Sequence, residues 1–169
     1  MGYQLIETIE VGAGNASYIE FLNLPQTGID LIIKCSTRSY YGTGYQAGVS
    51  LNGAPANGTY EWGQLSGDGA TPYGSGFDLW NANRLQYIYV NPFSATASTF
   101  SNGSMHIANY AGSQIKVASM ESATENNGTT AQIIMSAAAR NNTDAITSLR
   151  VYADLAQYST ASVYMTTAD

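Results

Sequence analysis

"VSLNGAPANGTYEW" (residues 49–62) sets two apolar stretches on either side of a segment built from Asn, Gly, Ala and Pro. Asn52-Gly53 and Asn57-Gly58 each supply residues that tolerate positive φ, which the tight turns between antiparallel strands require. Pro55 has no amide hydrogen to give to a ladder and belongs in the loop between the two Asn-Gly pairs. Upstream, Tyr45, Ala47, Val49 and Leu51 alternate with Gln46, Gly48, Ser50 and Asn52, a strand with one apolar and one polar face. Downstream, "TYEWGQL" resumes a strand. The stretch reads as a β-hairpin, and any part it has in holding a ligand is secondary to the turn.

The same grammar recurs along the chain. Short segments rich in Ile, Val, Tyr and Thr are each ended by Gly, Asn, Pro or Asp, the pattern of an all-β sandwich or barrel. Before the opening stretch the strands are Tyr3 to Val11, Ala16 to Phe21 and Ile29 to Arg38. After it they resume at "RLQYIYV", "SMHIANY", "IKVASMES", "TTAQIIMSAAA", "ITSLRVYAD" and "YSTASVYM", about ten strands in all. Ala and Met, and the spacing of Ile133, Ile134, Ala137 and Ala138, also fit a helix over Thr130 to Arg140. The flanks "NNGT" and "RNNT" and the neighbouring strands favour a strand there. "SGDGATPYGSGFDLWNAN" is the longest turn-rich stretch and reads as a surface excursion from the sheets. No segment repeats at a fixed period or has the composition of a disordered linker.

Composition agrees with one domain over residues 1–169. A chain of 18.0 kDa buries a core without disulfides or metals. Charged residues make up 11% of it, against roughly 25% in typical globular proteins. The surface is therefore mostly neutral and polar, which suits antiparallel sheets better than helices written in Glu and Lys. The net charge of -6 and the scatter of Lys34, Arg38, Arg84, Lys116, Arg140 and Arg150 argue against a nucleic-acid partner. No run approaches the roughly 18 apolar residues of a membrane span. The N-terminus also lacks the basic and apolar regions of a signal peptide, so the expectation is a soluble chain not exported by that route. Asn-x-Ser/Thr at Asn15, Asn57, Asn102, Asn127 and Asn141 then reads as turn chemistry. Cys35 is the single cysteine and alternates with Ile29, Leu31 and Ile33, which makes it a buried thiol.

Residues for chemistry are few. His106, the single histidine, sits between Met105 and Ile107 on a strand and points opposite to them, as a surface or structural imidazole does. Cys and His at metal-ligand spacing are missing, which leaves zinc and copper no site. Glu61, Asp68 and Asp78 flank an aromatic-rich loop, and a glycosidase would need two such carboxyls roughly 5 to 10 Å apart. The plainer reading has Asp68 capping the "SGDG" turn, Asp78 in a loop and Glu61 outward on a strand. No Lys follows "SGDGATPYGSG" as a phosphate loop requires, and the spaced acids of a calcium loop are also missing, though Asp68, Asp78 and loop carbonyls are oxygen ligands. The chain reads as neither an enzyme nor a cofactor carrier. Its candidate binding residues are four aromatics in loops, Tyr40, Tyr41, Tyr73 and Trp80, suited to stacking on a sugar or to burial in a protein interface.

In order along the chain, "YQLIETIEVGAGNASYIEFLNLPQTGIDLIIKCSTRS", "GVSLNG", "YEWGQLSGDG", "ENNGTTAQ", "ITSLRVYAD" and "AQYSTASVYM" resemble a group of tailed-phage virion proteins common among marine and freshwater phages. The resemblance spans nearly the whole chain and rests on the order of turn and strand signals. It implies a jelly-roll β-sandwich of about ten strands in one domain, often trimeric, that decorates a capsid or forms the head of a fibre or tail tip. The first strand begins near Tyr3 and the last ends close to Asp169, so the expectation is a domain without a coiled-coil stem, which favours a capsid decoration (cement) protein over a fibre head. The implied partners are two further copies of the chain and the phage major capsid protein. The implied place is the capsid surface, after synthesis in the host cytoplasm. The alternative is a receptor- or glycan-binding head that meets a host surface glycan through Tyr40, Tyr41, Tyr73 and Trp80.

Overall fold

The computed structural model describes residues 2–42, 46–53, 60–76, 85–124, 127 and 131–168. These residues hold twelve strands and no helix: β1 (Gly2–Glu10), β2 (Ala16–Phe21), β3 (Leu31–Thr37), β4 (Gln46–Leu51), β5 (Tyr60–Gly67), β6 (Pro72–Gly76), β7 (Leu85–Tyr89), β8 (Ser101–Ile107), β9 (Lys116–Ala123), β10 (Ile133–Arg140), β11 (Leu149–Leu155) and β12 (Thr160–Thr167). They form two antiparallel sheets packed against each other. The larger runs β1-β12-β3-β8-β9-β10-β5-β6 and the smaller β2-β11-β4-β7. The expected all-β sandwich is what the chain forms.

Alternation decides which residues meet between the sheets. On β3, Leu31, Ile33, Cys35 and Thr37 are buried while Lys34 and Ser36 are exposed; on β8, Ser101, Gly103, Met105 and Ile107 are buried and His106 is exposed. Register places Ile33 opposite both Met105 and Val163, so three strands present one apolar row to the interior. The smaller sheet answers with Ile19, Phe21, Val49, Leu51, Leu149 and Val151. β10 is a strand, as its flanks suggest, because complete ladders to β9 and β5 hold it on both sides. Its inner residues are Ile134, Ser136, Ala138 and Arg140.

The chain departs from the sequence reading in three places. The stretch from Val49 to Trp62 is not a hairpin, because β4 lies in the smaller sheet and β5 in the larger. Asn52 (φ 55) and Gly53 (φ 88) do adopt the left-handed conformation. They use it to leave one sheet for the other, and Asn52 also anchors the neighbouring segment: its Oδ1 accepts the Thr147 amide at 2.8 Å and its Nδ2 donates to the Ala145 carbonyl at 2.8 Å. Pro55 and Asn57-Gly58 lie outside the described residues. Second, Gly48 and Ser50, expected on a polar outer face of β4, are buried. Third, part of the expected surface excursion is the strand β6, which adds to the edge of the larger sheet beside β5. Asp68 Oδ1 accepts the amides of Ala70 at 3.0 Å and Thr71 at 2.8 Å, and with Gly69 at φ 87 this turns β5 back into β6. Pro72 opens β6, the place in an edge strand where a missing amide hydrogen does least harm.

Four pairs of strands are nested: β1 with β12, β2 with β11, β3 with β8, and β4 with β7. Two hairpins interrupt this scheme, β5–β6 between β4 and β7 and β9–β10 between β8 and β11, and both join the larger sheet beyond β8. β7, the edge of the smaller sheet, packs across β8, β9, β10 and β5. A Cβ on Gly103 of β8 would stand 2.2 Å from Ile88 Cγ2 of β7, so a side chain there would force the sheets apart. Lys116 is buried in the same half, its Nζ donating to the carbonyls of Gly112 and Gln114, each at 2.6 Å.

Gly103→Ala is expected to cost about 1–3 kcal/mol in urea unfolding. Gly63→Ala, at a position with no neighbour within 4 Å of a Cβ, should change stability by less than about 0.5 kcal/mol. The buried thiol gives a prediction in pH. Desolvation pushes Cys35 up from 9.0 to about 12 and raises Tyr60, which is also buried. A raised acid pKa means that the neutral form stabilises the fold below the unfolded value and that this contribution is lost as pH climbs toward the folded one. Stability should therefore fall from about pH 9 to pH 12, and Cys35→Ala should flatten that fall. Equal slopes for the two proteins would show that the thiol contributes nothing to it.

Candidate functional site

Tyr40 and Tyr41 follow β3 at one end of the sandwich. The Tyr40 amide donates to the Asp154 carbonyl at 2.9 Å, and Ser39 Oγ accepts the Tyr41 amide at 3.1 Å, so the backbone that carries both rings is tied down. Arg38 shapes the loop beside them. Its guanidinium donates to four carbonyls, those of Thr96 at 2.6 Å, Ala95 at 2.9 Å, Phe93 at 3.0 Å and Thr99 at 3.1 Å. Tyr41, Phe93 and Tyr158 are 72%, 65% and 63% exposed. Tyr40, Phe93, Phe100 and Tyr158 line a shallow recess of about 440 Å³ at this end.

The other two predicted residues are not brought to this place. Tyr73 is exposed on β6, five strand positions from β3 across the larger sheet. Trp80 lies outside the described residues, as does Asp78, one of the carboxyls weighed for hydrolysis. Glu61 is half-buried on β5, and Asp68 is engaged in its own turn, where the Thr71 and Ala70 amides lower its pKa. Among the described residues, no three His, Cys, Asp or Glu side chains converge to hold a metal ion.

Two outward sheet faces carry features that no sequence motif announced. On the smaller sheet, Arg150 Nε meets Glu20 Oε1 at 2.5 Å, its Nη1 donates to Tyr152 Oη at 3.1 Å, and its guanidinium lies 4.8 Å from the centre of the Tyr18 ring. Tyr18 and Tyr152 are 5.4 Å apart and tilted. The hydrogen bond to Glu20 raises the pKa of Arg150 and so keeps its charge fixed. This cluster spends its polar groups on one another and reads as a brace across β2 and β11.

The outer face of the larger sheet divides in two. Across β1, β12, β3 and β8 lies a groove of about 610 Å³, with Tyr3 and Tyr164 on one side and Asp30, Lys34 and His106 on the other. Its polar groups are oriented. Asp30 Oδ1 accepts the Asn109 amide at 2.8 Å, and its Oδ2 takes the Nε2–H of His106 at 2.9 Å. Ser104, two residues before His106, accepts from Lys34 Nζ at 2.8 Å and so serves the lysine rather than the imidazole. Across β9, β10 and β5 the same face turns apolar: Leu65, Ile133 and Met135 are 69%, 58% and 63% exposed, with Val117 and Ala137 exposed beside them. Met135 stands directly opposite Leu65 in the ladder, which makes the patch continuous.

Arg38→Lys should loosen the loop at 92–100, because one ammonium cannot serve four carbonyls arranged for a planar fork. The expected cost is about 2 kcal/mol in thermal or urea unfolding, with faster amide exchange at Ala95 and Thr99. A variant as stable as the parent would show that the loop holds itself. No family model, curated protein or solved structure matches the chain.

Proposed function

We propose that this chain is a structural protein of a tailed-phage virion, a capsid decoration protein that stands on the shell as a trimeric knob. The observation that carries the reading is the exposed apolar surface of Leu65, Ile133, Met135 and Val117. It is built by two hairpins that extend the larger sheet past the nested pairs. A rigid, sheet-borne apolar surface of this kind marks a protein contact rather than a solvent face. Glu121 lies opposite Met135 on the neighbouring strand and gives the patch a charged border, as interfaces have.

Further support comes from connectivity. Nested pairing of first strand with last and second with next-to-last is the order expected of a jelly roll, the architecture that the resemblance to virion proteins implies. In this reading three copies pack around a threefold axis with their β9–β10–β5 faces buried. The base of the trimer then bridges neighbouring major capsid subunits. Each contact is modest, and the three act together because the second and third form at high effective concentration. The chain is made in the host cytoplasm and works on the particle surface. A second reading, a receptor-binding head, is favoured by one observation, the display of Tyr41, Phe93 and Tyr158 together at one end of the sandwich.

Light scattering after size exclusion should give three times the chain mass. Met135→Glu changes an exposed side chain, so it should leave the fold intact while weakening self-association about 30-fold or more. The same variant should bind poorly to capsids stripped of their decoration. A wild-type monomer that also ignores such capsids overturns the proposal, and binding confined to cells or to tail tips would favour the receptor-binding head.

A further inference from the structure

The groove on the polar half of the larger sheet is a second surface, made by different strands from the apolar patch. The geometry points to a binding site for a neutral saccharide, held against Tyr3 and Tyr164 and hydrogen-bonded by Lys34, His106 and Asp30. This goes beyond the decoration reading and does not depend on it.

The site is built on strands that cannot drift apart. Tyr3 lies opposite Thr166, Tyr164 opposite both Leu5 and Ile32, and Ile32 opposite His106, so four adjacent strands fix the spacing of the groups above them. Asp30 is clamped at the strand end: its amide donates to Thr166 Oγ1 at 3.0 Å and its carbonyl accepts the Thr166 amide at 2.9 Å. A groove of about 610 Å³ falls within the roughly 300–1,000 Å³ of small-ligand sites. Preorganisation of this kind lowers the ordering cost of binding.

The chemistry of the lining selects the ligand. Phenol rings offer flat apolar surface with a hydroxyl at the tip, which complements a sugar ring whose C–H face is apolar and whose rim is hydroxylated. The polar side offers both donors and acceptors. Lys34 Nζ has three N–H groups and gives one to Ser104. His106 commits Nε2 to Asp30, so Nδ1 is the ring nitrogen left to meet a ligand. Each carboxylate oxygen of Asp30 accepts one hydrogen bond and retains a further lone pair. One lysine and one aspartate balance in charge, and the chain as a whole carries -6. An anionic sugar gains little here, whereas an uncharged polyol satisfies donors and acceptors together.

The test is amide-resolved NMR of the full chain with maltose, lactose and mannobiose as neutral probes and sialyllactose as the acidic one, each at millimolar concentration. At least one neutral probe should shift the amides of Ile32, Lys34, His106 and Tyr164. Tyr164→Ala should weaken that probe about tenfold. Lys34→Gln, an exposed substitution that leaves the apolar floor untouched, keeps the test open if Tyr164→Ala does not fold, and it should also reduce binding. Tyr41→Ala, at the other surface, should not. The inference is overturned if none of the neutral probes shifts these amides, if the shifts gather at Tyr40, Tyr41 and Tyr158, or if only sialyllactose binds. Light scattering on the same samples reads the trimer separately, so failure of the groove and failure of the decoration reading are distinguishable.

Discussion

Two sheets can share a core only at the distance their side chains set, and here that distance is fixed where β7 crosses the larger sheet. Ile88 fills the space that a side chain at Gly103 would need. With that contact made, β7 lies over β8, β9, β10 and β5, and the inner residues of those strands, Met105, Met120, Ile134 and Ala138 among them, are buried. Which residues face outward follows from period-two alternation alone. Lys34, His106, Glu121, Met135 and Leu65 are therefore on one surface because Ile33, Met105, Met120 and Ile134 are beneath it. The outward pattern is a consequence of the core.

That outer surface changes character along a single row. Ser162, Lys34, Ser104, Glu121, Met135 and Leu65 stand opposite one another in turn across six strands, polar through Glu121 and apolar beyond. The change falls within the β9–β10 hairpin, that is, within the strands added to the nested pairs. The nested strands bear a hydrogen-bonding groove and the added ones a greasy plate. The two surfaces differ in chemistry and share no residue.

Much of this was legible in the sequence where the signal is local. Alternation in "LIIKCST" and the placing of His106 against Met105 and Ile107 identify strands and their buried faces without knowledge of the partners. Positive-φ residues such as Asn52 and Gly53 say that a strand ends but not where the chain goes next, which is why a passage between sheets reads as a hairpin. β6 escapes for a related reason: "PYGSG" has little intrinsic preference for a strand, and its pairing with β5 supplies what its composition lacks. Of the four candidate aromatics, Tyr40 and Tyr41 share one end because they are neighbours in the chain. The groove had no such signal, since Tyr3, Asp30, His106 and Tyr164 come from the beginning, middle and end of the sequence and meet only through the pairing of β1, β12, β3 and β8.

The same pairing has a consequence in time. β12 fits between β1 and β3, and β11 fits between β2 and β4, so the two strands made after the other ten of this sandwich are the ones that join each sheet into one. Until they arrive, both sheets are split, and β1, β2, β3 and β4 each show an unpaired edge of the kind that recruits other chains. The fold cannot be completed piece by piece behind the ribosome, and its closure joins segments far apart in sequence, a slow step by loop-closure entropy. A chain made in many copies at once would be most exposed to mispairing in that interval. The sparse charge that suits the finished surface offers little protection during it.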